Sequence, residues 1–334
     1  MVTESIYTDH FIEILRTGIP VVDIRSDLQY HRGHIPGARH LYFNMDLRSV
    51  KQQHPNELLN KTLQNLWNGS QKFLEQWRHL KHPVILIYDQ IGGLRMHYFL
   101  KLMQEPSSGP MKVLILKEGY ESYLKWRNQV LERKYRIAML TGLTGSGKTE
   151  LLRKLIQKKY QGIDLEQLAK HNGSAFGYQG QQPTNEQFQN LIAHQLDQFA
   201  LDRWILVEQK GKFLGQVEIP KSLRIENATR RIFLEVAYAK RLKKVQSIYG
   251  QKTDNNLYDG LEKLKSRLDQ AFHARLYSFL EKGELKAFLQ LMMDYYDQTF
   301  LYQKGLSCRN LKLVGDDFEA QIEKILNSNE VPAG

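Results

Sequence analysis

The sequence has a single cysteine, Cys308, among its 334 residues. One cysteine excludes an internal disulfide and a cysteine-based zinc site. Long hydrophobic runs are missing too, because apolar stretches such as 84–88 and 113–116 fall far short of the roughly 20 residues that a membrane helix needs. The N-terminus also lacks the basic start and apolar core of a signal peptide. We therefore expect a soluble cytoplasmic protein.

Acidic residues are scarcer than basic ones. Lys and Arg together number 47 and Asp and Glu 36, which gives a net charge of +11 that both halves of the chain share. A folded surface of this sign favours polyanionic partners, and nucleic acid is the most abundant one in the cytoplasm. The alternative is a basic protein without such a partner, because net charge does not tell where the charges lie.

Short apolar stretches alternate with helical patterns in the first 130 residues. The stretches 20–24, 84–88 and 113–116 have the composition of strands, whereas 57–78 and 93–104 carry apolar residues at helical spacing. Strands that are separated by helices predict a parallel sheet in an α/β domain. We expect this first domain to span residues 1–130.

A second α/β domain is predicted over residues 134–255. A glycine-rich turn is followed by a helical pattern at 150–160, and three apolar stretches read as strands, at 135–140, 204–208 and 230–236. From about residue 256 onward the sequence shows helical periodicity only. Residues 256–334 are therefore predicted to form a helical C-terminal region that packs on the second domain.

The clearest motif is Gly-Leu-Thr-Gly-Ser-Gly-Lys-Thr at 142–149, which matches G-x-x-x-x-G-K-[ST] between a predicted strand and a predicted helix. Its glycines let successive backbone N–H groups point at an anion. Lys148 adds a point charge for a terminal phosphate, and the Thr149 hydroxyl typically binds Mg²⁺. The predicted phosphate-binding residues are Gly142, Thr144, Gly145, Ser146, Gly147, Lys148 and Thr149.

Glu208 is the candidate second residue for Mg²⁺. It ends the apolar run Trp-Ile-Leu-Val, and P-loop hydrolases and kinases usually hold the metal with an acid at the end of a neighbouring strand. Gln209 and Lys210 follow it, so the acidic cluster is thin, and a solvated strand end is the alternative. ATP or GTP is the conventional ligand of such a loop.

Two short motifs near the N-terminus, Val-Asp23-Ile-Arg25-Ser and Gly33-His-Ile-Pro-Gly-Ala38, resemble the rhodanese domain. The resemblance implies that both motifs brace the edge of a sheet. We expect Asp23 to hold backbone groups or Arg25. His34 is expected to be structural rather than a general base.

Rhodaneses place a reactive cysteine directly after a strand, in a loop of backbone N–H groups. Here the stretch 84–88 is followed by Asp89-Gln-Ile-Gly-Gly-Leu-Arg95, so Asp89 stands at the cysteine position and Arg95 closes the loop. A carboxylate cannot carry a persulfide or perselenide, because that chemistry needs a polarisable thiolate. Asp89 and Arg95 are the candidate catalytic residues by position. Asp89 is expected to be inactive, and the domain to act as a scaffold or docking surface.

A rhodanese lobe fused to a P-loop lobe resembles the tRNA 2-selenouridine synthases, and the resemblance covers nearly the whole chain. In the first lobe, Glu118-Gly-Tyr120 resembles the GGY of this family. The second lobe carries the specific block Asp164-Leu-Glu166-x-Leu-Ala-x-His171-x-Gly-Ser-x-Phe-Gly177. Further matches are Gln182-Pro-Thr184, Phe188, Asn190, Arg241, Tyr249 and Tyr295-Tyr-Asp297.

The resemblance implies modification of the wobble uridine of certain bacterial tRNAs. The family replaces the sulfur of 2-thiouridine with selenium from selenophosphate, through an S-geranyl intermediate made from geranyl diphosphate. Residues 142–149 would hold the diphosphate leaving group, while Lys148 and Mg²⁺ neutralise the charge that develops on it. The motif alone fits ATP or GTP equally well.

Several positions depart from the pattern of the family. Asp89 replaces cysteine, Ile91 replaces the arginine before the double glycine, and Met96 replaces serine. The chain also has uncharged or basic residues where acids are usual, namely Gln29, Gln209 and Lys210. These departures predict a diverged member that binds tRNA and diphosphate and has lost or rerouted the selenium step.

The densest basic region is the candidate RNA surface. Its members are Arg230, Arg231, Lys240, Arg241, Lys243 and Lys244, with Lys221 and Arg224 nearby. Phosphate contacts by such residues would make tRNA binding strongly salt-dependent, and the alternative is a solvated helix face. Tyr295 and Tyr296 are candidates for stacking on a splayed base, although such a pair is more often part of a core.

Three functions stay open on the sequence. The first is a transferase of the 2-selenouridine synthase type, either complete or restricted to geranylation. The second is a non-catalytic protein that binds tRNA or nucleotide, and the third is a conventional ATP- or GTP-dependent enzyme. The intact phosphate loop argues against complete decay, and Asp89 argues against full selenation.

Overall fold

The computed structural model describes residues 2–41, 82–91, 96, 99–100, 112–173, 180–250, 254–302, 310–315 and 317–327. The chain divides into two compact units, Met1–Val130 with Gln189–His194 and Leu131–Phe188 with Gln195–Gly334. Both are α/β with parallel sheets, as the sequence predicts. The predicted helix 57–78 lies outside the described residues, as does the predicted helix 93–104 apart from residues 96, 99 and 100.

A parallel sheet forms the centre of the first unit. Its described strands are ordered β1-β5-β4-β2-β3, and every neighbouring pair is parallel. The strands are β1 Val2–Ile6, β2 Val21–Asp23, β3 Arg39–His40, β4 Val84–Tyr88 and β5 Lys112–Leu116. The helices are α1 Thr8–Leu15, α2 Asp27–Arg32 and α3 Gly119–Glu132. Because β4 is the middle strand, the loop that follows it starts at the centre of the sheet.

Local chemistry accounts for these elements. β4 and β5 are almost wholly apolar and largely buried, as expected of strands with both faces covered. Ser26 begins α2 with a capping box, since its hydroxyl accepts the N–H of Gln29 and the Gln29 side chain accepts the N–H of Ser26. The sequence analysis did not predict β1, whose polar residues suit its position at the edge of the sheet.

The second unit contains another parallel sheet, ordered β12-β11-β6-β8-β7. Its strands are β6 Arg136–Thr141, β7 Gly162–Ile163, β8 Trp204–Glu208, β11 Arg230–Glu235 and β12 Asn310–Val314. A small antiparallel hairpin consists of β9 Phe213–Leu214 and β10 Val217–Glu218. The helices are α4 Lys148–Gln157, α5 Leu165–Ala169, α6 Asn185–Leu196, α7 Tyr238–Tyr249, α8 Asp254–Leu264, α9 Gln270–Glu281, α10 Leu285–Tyr302 and α11 Phe318–Asn327. Residues 189–194 of α6 belong to the first unit.

Two apolar clusters hold the second unit together. Leu152 and Leu155 on α4 pack with Leu206 and Ile232 of the sheet. In the other cluster, α7 contributes buried residues together with α8, α9 and α10, among them Leu242, Leu261, Leu276, Phe288 and Met292. The helical C-terminal region that the sequence predicts is therefore anchored through α7. None of the described helices is both long and apolar enough to cross a membrane.

The C-terminal region contains a strand that the sequence analysis did not anticipate. Residues Asn310–Val314, expected to be helical, form β12 and pair in parallel with β11. Leu311 and Leu313 alternate with Lys312, which is the period of a strand rather than of a helix. α11 follows and packs Ile322 into the sheet cluster. The prediction of helix only beyond residue 256 is thus wrong for this segment.

Candidate functional site

The phosphate loop joins β6, the middle strand of the second sheet, to α4. Its glycines adopt positive φ angles, including +79° at Gly145 and +88° at Gly147. A Cβ on Gly145 would lie 2.7 Å from the carbonyl oxygen of Arg241. Glycine is therefore needed there both for backbone conformation and for the close approach of α7.

Lys148 lies on this loop with its ammonium turned inward. Its Nζ donates to the carbonyl oxygens of Gly142 at 2.8 Å and Leu143 at 3.2 Å, and to the Ser146 hydroxyl at 3.3 Å. Burial lowers the pKa of Lys148. A bound anion would replace these neutral acceptors with a charged one.

Thr149 and Glu208 meet at the edge of the loop. The Thr149 hydroxyl donates to Oε2 of Glu208 at 2.6 Å. Glu208 is buried at the end of β8, which pairs with β6. Burial by itself would raise the pKa of Glu208, but the charges of Lys210 and Lys148 and the hydrogen bond from Thr149 outweigh it and lower that pKa. The alternative of a solvated strand end does not describe this side chain.

In the sequence, Lys210 is notable only as a departure from the family pattern. In the structure, its ammonium lies between two buried carboxylates beside the phosphate loop. Its Nζ lies 2.9 Å from Oε1 of Glu208 and 2.5 Å from Oε1 of Glu166. These two carboxylates raise the pKa of Lys210 although burial opposes them. A Cβ on Gly173 would lie 3.0 Å from the same ammonium. The match of Glu166 and Gly173 to the family block thus has a structural explanation, whereas Ser174, Phe176 and Gly177 lie outside the described residues.

The residues at this point do not fit a bound Mg²⁺. Oε2 of Glu208 accepts from Thr149 and Oε1 carries the ammonium of Lys210. A divalent cation bound to Glu208 would have to displace the ammonium of Lys210 or bind the same carboxylate beside it. In the second case the two positive charges would repel each other.

Arg241 fastens the phosphate loop to the C-terminal helices. It is 4% exposed and donates to the carbonyl oxygen of Thr144 at 2.9 Å. Asp297 on α10 lies 2.8 Å from Arg241 and accepts the N–H of Thr144 at 3.2 Å. This arrangement explains why Arg241 and Asp297 belong to the matched family positions, and it turns the Arg241 guanidinium away from any RNA at the surface.

The remaining basic candidates separate into interior and surface residues. Arg230 is buried with its guanidinium 4.8 Å from the Trp204 ring, and buried Arg231 donates to the carbonyl oxygen of Ile225. The exposed basic residues of α7 are Lys240 and Lys243, while Lys244 is half-buried and pairs with Glu150 at 2.5 Å. Burial of three arginines therefore reduces the predicted RNA surface to the lysines of α7 and exposed Lys221, with Arg224 partly buried and paired with Glu218.

Tyr295 and Tyr296 pack against the helical cluster rather than forming an open stacking platform. The ring centroids of Tyr295 and Phe272 are 5.6 Å apart. The core interpretation of this tyrosine pair is therefore confirmed.

In the first unit, Asp89 follows β4, as the sequence predicts for the rhodanese cysteine position. It is 5% exposed, and its carbonyl oxygen accepts the N–H of Tyr120 at 2.8 Å. A Cβ on Gly119 would collide with the carbonyl oxygens of Asp89 and Gln90, the latter at 2.7 Å. The Glu118-Gly-Tyr120 block is thus the segment that closes over this loop. Arg95, Gly92, Gly93 and Cys308 lie outside the described residues.

Asp23 and Arg25 form a buried pair beside that loop. Asp23 accepts the backbone N–H of Arg25 at 2.9 Å and its guanidinium at 2.7 Å. The guanidinium also donates to the carbonyl oxygen of Gly33 at 2.6 Å and lies 3.7 Å from the centre of the Tyr120 ring. The prediction that Asp23 holds backbone groups or Arg25 is confirmed, and the structure shows that it holds both.

A chain of amides extends this pair into the loop, and the sequence analysis did not find it. Oε1 of Gln90 accepts from Arg25 at 3.2 Å and from Gln29 at 3.3 Å, while its amide nitrogen donates to Glu121 at 2.5 Å. His34 stacks on Tyr30 at 4.1 Å and bonds to the Tyr30 carbonyl oxygen, in keeping with the predicted structural role. Nothing in the sequence around Gln29 or Gln90 predicts that their side-chain amides contact each other.

Comparison with known proteins matches both units. A family profile described as "Rhodanese-like domain" covers residues 9–125, and one described as "tRNA 2-selenouridine synthase AAA domain" covers residues 135–261. The tRNA 2-selenouridine synthase of Cupriavidus pinatubonensis is 27% identical over 92% of this chain and 95% of that protein. Those of Hahella chejuensis and Salmonella dublin are 25% and 26% identical, over 92% and 90% of this chain and 92% and 93% of those proteins.

Proposed function

Because the chain belongs to the tRNA 2-selenouridine synthase family, we propose that it is a tRNA-modifying transferase whose phosphate loop holds the diphosphate of geranyl diphosphate. The observation that carries the proposal is the intact loop, in which Lys148 is held by neutral acceptors. This loop occurs in a chain that matches relatives of this name over about nine-tenths of its length.

The chemistry proposed for this loop is transfer of a prenyl group to sulfur. The sulfur of 2-thiouridine in tRNA attacks the first carbon of the geranyl group, a C–S bond forms, and the C–O bond to diphosphate breaks. The electron pair of that C–O bond leaves with the diphosphate, and the N3 proton of the base is lost to water as the thiocarbonyl becomes a thioether. Lys148 and the N–H groups of the loop stabilise the departing charge, because they are already oriented before the reaction begins.

We propose that the selenium step is lost in this protein. Replacement of the geranylated sulfur by selenium from selenophosphate would need a reactive centre, and Asp89 stands where rhodaneses have their nucleophilic cysteine. A carboxylate forms no stable persulfide or perselenide. The first unit would then serve as a scaffold or docking surface.

The proposed substrate is tRNA, bound through exposed cations such as Lys240 and Lys243 on α7. Such contacts predict an affinity that falls steeply with salt concentration. A tRNA substrate implies a cytoplasmic location.

A second candidate is a conventional ATP- or GTP-dependent enzyme. The hydrogen bond between Thr149 and Glu208 favours it, because P-loop enzymes that cleave nucleotides bring the same two types of side chain together. A competition experiment between geranyl diphosphate and ATP distinguishes the two functions, because it shows which of the two ligands binds the loop more tightly.

The test of the proposal supplies purified protein with tRNA that carries 2-thiouridine, first with geranyl diphosphate and then with selenophosphate. Nucleosides are released by digestion and identified by mass spectrometry. We expect a geranylated nucleoside and no selenouridine, with reactions that omit geranyl diphosphate as the control. Bound tRNA without any modified nucleoside would instead support the non-catalytic alternative.

A further inference from the structure

The ammonium of Lys210 lies where the phosphate loop meets its acidic residues. Lys210 follows β8 by two residues, and its side chain is only 12% exposed. Its Nζ contacts Oε1 of Glu208 and Oε1 of Glu166, at 2.9 and 2.5 Å. Both carboxylates are buried, with side chains 7% and 8% exposed. Buried carboxylates of this kind need a cation close by, and here the chain itself supplies it.

The charges around this point are already balanced. Arg153 adds a third cation, with Nε at 2.5 Å from Asp164 and Nη2 at 4.0 Å from Glu166. With the Arg241–Asp297 pair included, four basic side chains face four acidic ones, namely Lys148, Lys210, Arg153 and Arg241 against Glu166, Glu208, Asp164 and Asp297. A divalent cation would add two further positive charges to a neutral cluster and would be repelled by Lys210 at close range.

We propose that the ammonium of Lys210 takes the place of a divalent cation, so that the phosphate loop binds diphosphate without Mg²⁺. The inference rests on the proposed function, since it concerns how that same site receives its diphosphate. Glu208 and Glu166 hold Lys210 in place, just as carboxylates elsewhere hold a metal ion. Lys148 and Lys210 then act as two fixed cations for one diphosphate group.

This arrangement also affects which reaction the loop can support. Conventional nucleotide hydrolysis uses metal ions that bridge two phosphates and neutralise the charge between them. An ammonium can donate to oxygens of two phosphates, but it carries one positive charge where a divalent metal ion carries two. Departure of an intact diphosphate from a prenyl carbon also develops negative charge on the phosphates, and Lys148 and Lys210 supply two positive charges for it. Lys210 therefore favours prenyl transfer over hydrolysis of ATP or GTP.

The primary test is isothermal titration of inorganic diphosphate into the full chain, in excess EDTA and in millimolar Mg²⁺. We expect dissociation constants that agree within about threefold, a difference below 1 kcal/mol in binding free energy. A loss of about tenfold or more in EDTA overturns the proposal and leaves the prenyl transferase function intact. Absence of binding in both buffers contradicts the proposed function together with the inference.

Lys210→Met removes the ammonium and keeps most of the side-chain volume. In EDTA we expect diphosphate affinity to fall by about tenfold or more, and Mg²⁺ to restore part of it because Glu208 is released. Lys212→Met is the matched control, since Lys212 is exposed and 3.5 Å from Glu218. Unchanged affinity of folded Lys210→Met in EDTA overturns the proposal. If that variant does not fold, Lys210→Arg keeps the charge and is expected to bind diphosphate in EDTA. The titrations of the unmodified chain in EDTA and in Mg²⁺ then remain the deciding test of the proposal.

Discussion

The two units of this protein place a loop at the same point of the same kind of sheet. β4 is the third strand of the order β1-β5-β4-β2-β3, and β6 is the third of β12-β11-β6-β8-β7. The phosphate loop follows β6 and keeps its charged lysine, whereas the loop after β4 begins with Asp89 instead of a thiol. The loop of the second sheet therefore carries a cation suited to an anionic ligand, whereas the loop of the first sheet carries a carboxylate at the position where rhodaneses have a thiol.

The polar contacts around the two loops differ in a way that fits this contrast. Beside Asp89, the groups of Arg25, Asp23 and Gln90 hydrogen-bond to one another in a continuous network. At the phosphate loop, the acceptors of Lys148 are neutral oxygens of the loop itself. A network of internal pairs supports the fold, whereas neutral acceptors are readily replaced by a charged ligand.

The largest effect is expected from Arg25→Met in the first unit. It leaves the Asp23 carboxylate buried without its guanidinium partner, which costs about 3–5 kcal/mol of unfolding free energy. Urea denaturation measures this loss. Arg39→Met, at an exposed position of β3, is the control and should change stability by less than about 0.5 kcal/mol. A loss below about 1 kcal/mol for Arg25→Met would show that the pair does not stabilise the first unit.

Lys148→Ala tests the second unit and is expected to act on ligand affinity. Removing a charged hydrogen-bond donor to diphosphate weakens the binding free energy by about 2–3 kcal/mol, which raises the dissociation constant about 30- to 150-fold. Calorimetric titration with inorganic diphosphate gives this number. Lys154→Ala is the control in the same helix, because Lys154 is exposed and pairs with Glu150 at 3.1 Å. Equal affinities of the two variants would sink the assignment of Lys148 to the ligand.

A pH series gives a smaller effect with a defined sign. Burial lowers the pKa of Lys148, so its ammonium loses its proton at a lower pH than an ordinary lysine. As the pH rises through that lowered pKa, diphosphate affinity should fall, by at most about tenfold per pH unit. Lys148→Arg, whose guanidinium stays protonated, separates this decline from titration of the ligand. A decline of the same size in Lys148→Arg would assign the titration to another group.

The sequence predicts the interior strands β4 and β8 and the phosphate loop well, for a physical reason. β4 is an unbroken apolar run, and β8 is apolar up to its last residue, Glu208, so composition alone delimits them. β1 and β12 are edge strands with polar or alternating residues, and their strand character depends on a neighbour far along the chain. Motif and burial thus predict the centre of each sheet better than its edges.

The side chains around the site were less predictable, because their partners are distant in sequence. Lys210 meets Glu166 across 44 positions, and no local pattern relates them. The basic run on α7 predicts a charged face, yet Arg241 turns inward to Asp297 while Lys240 and Lys243 stay exposed. Charge counting along a helix cannot distinguish an arginine that binds an internal aspartate from one that faces solvent.

The smallest effect is expected from Asp89→Cys, which introduces a sulfur atom at the rhodanese cysteine position after β4. We expect no selenouridine in digested tRNA by mass spectrometry, because burial raises the pKa of a thiol at this position and opposes the thiolate. Ile91, 69% exposed, and Met96, buried, still stand where the family has arginine and serine. The triple variant with Ile91→Arg and Met96→Ser is the matched comparison, since arginine supplies the cation that favours a thiolate. Selenouridine produced by Asp89→Cys alone would contradict this expectation. It would mean that the missing sulfur atom, and not the other changes in the loop, prevents selenation by this protein.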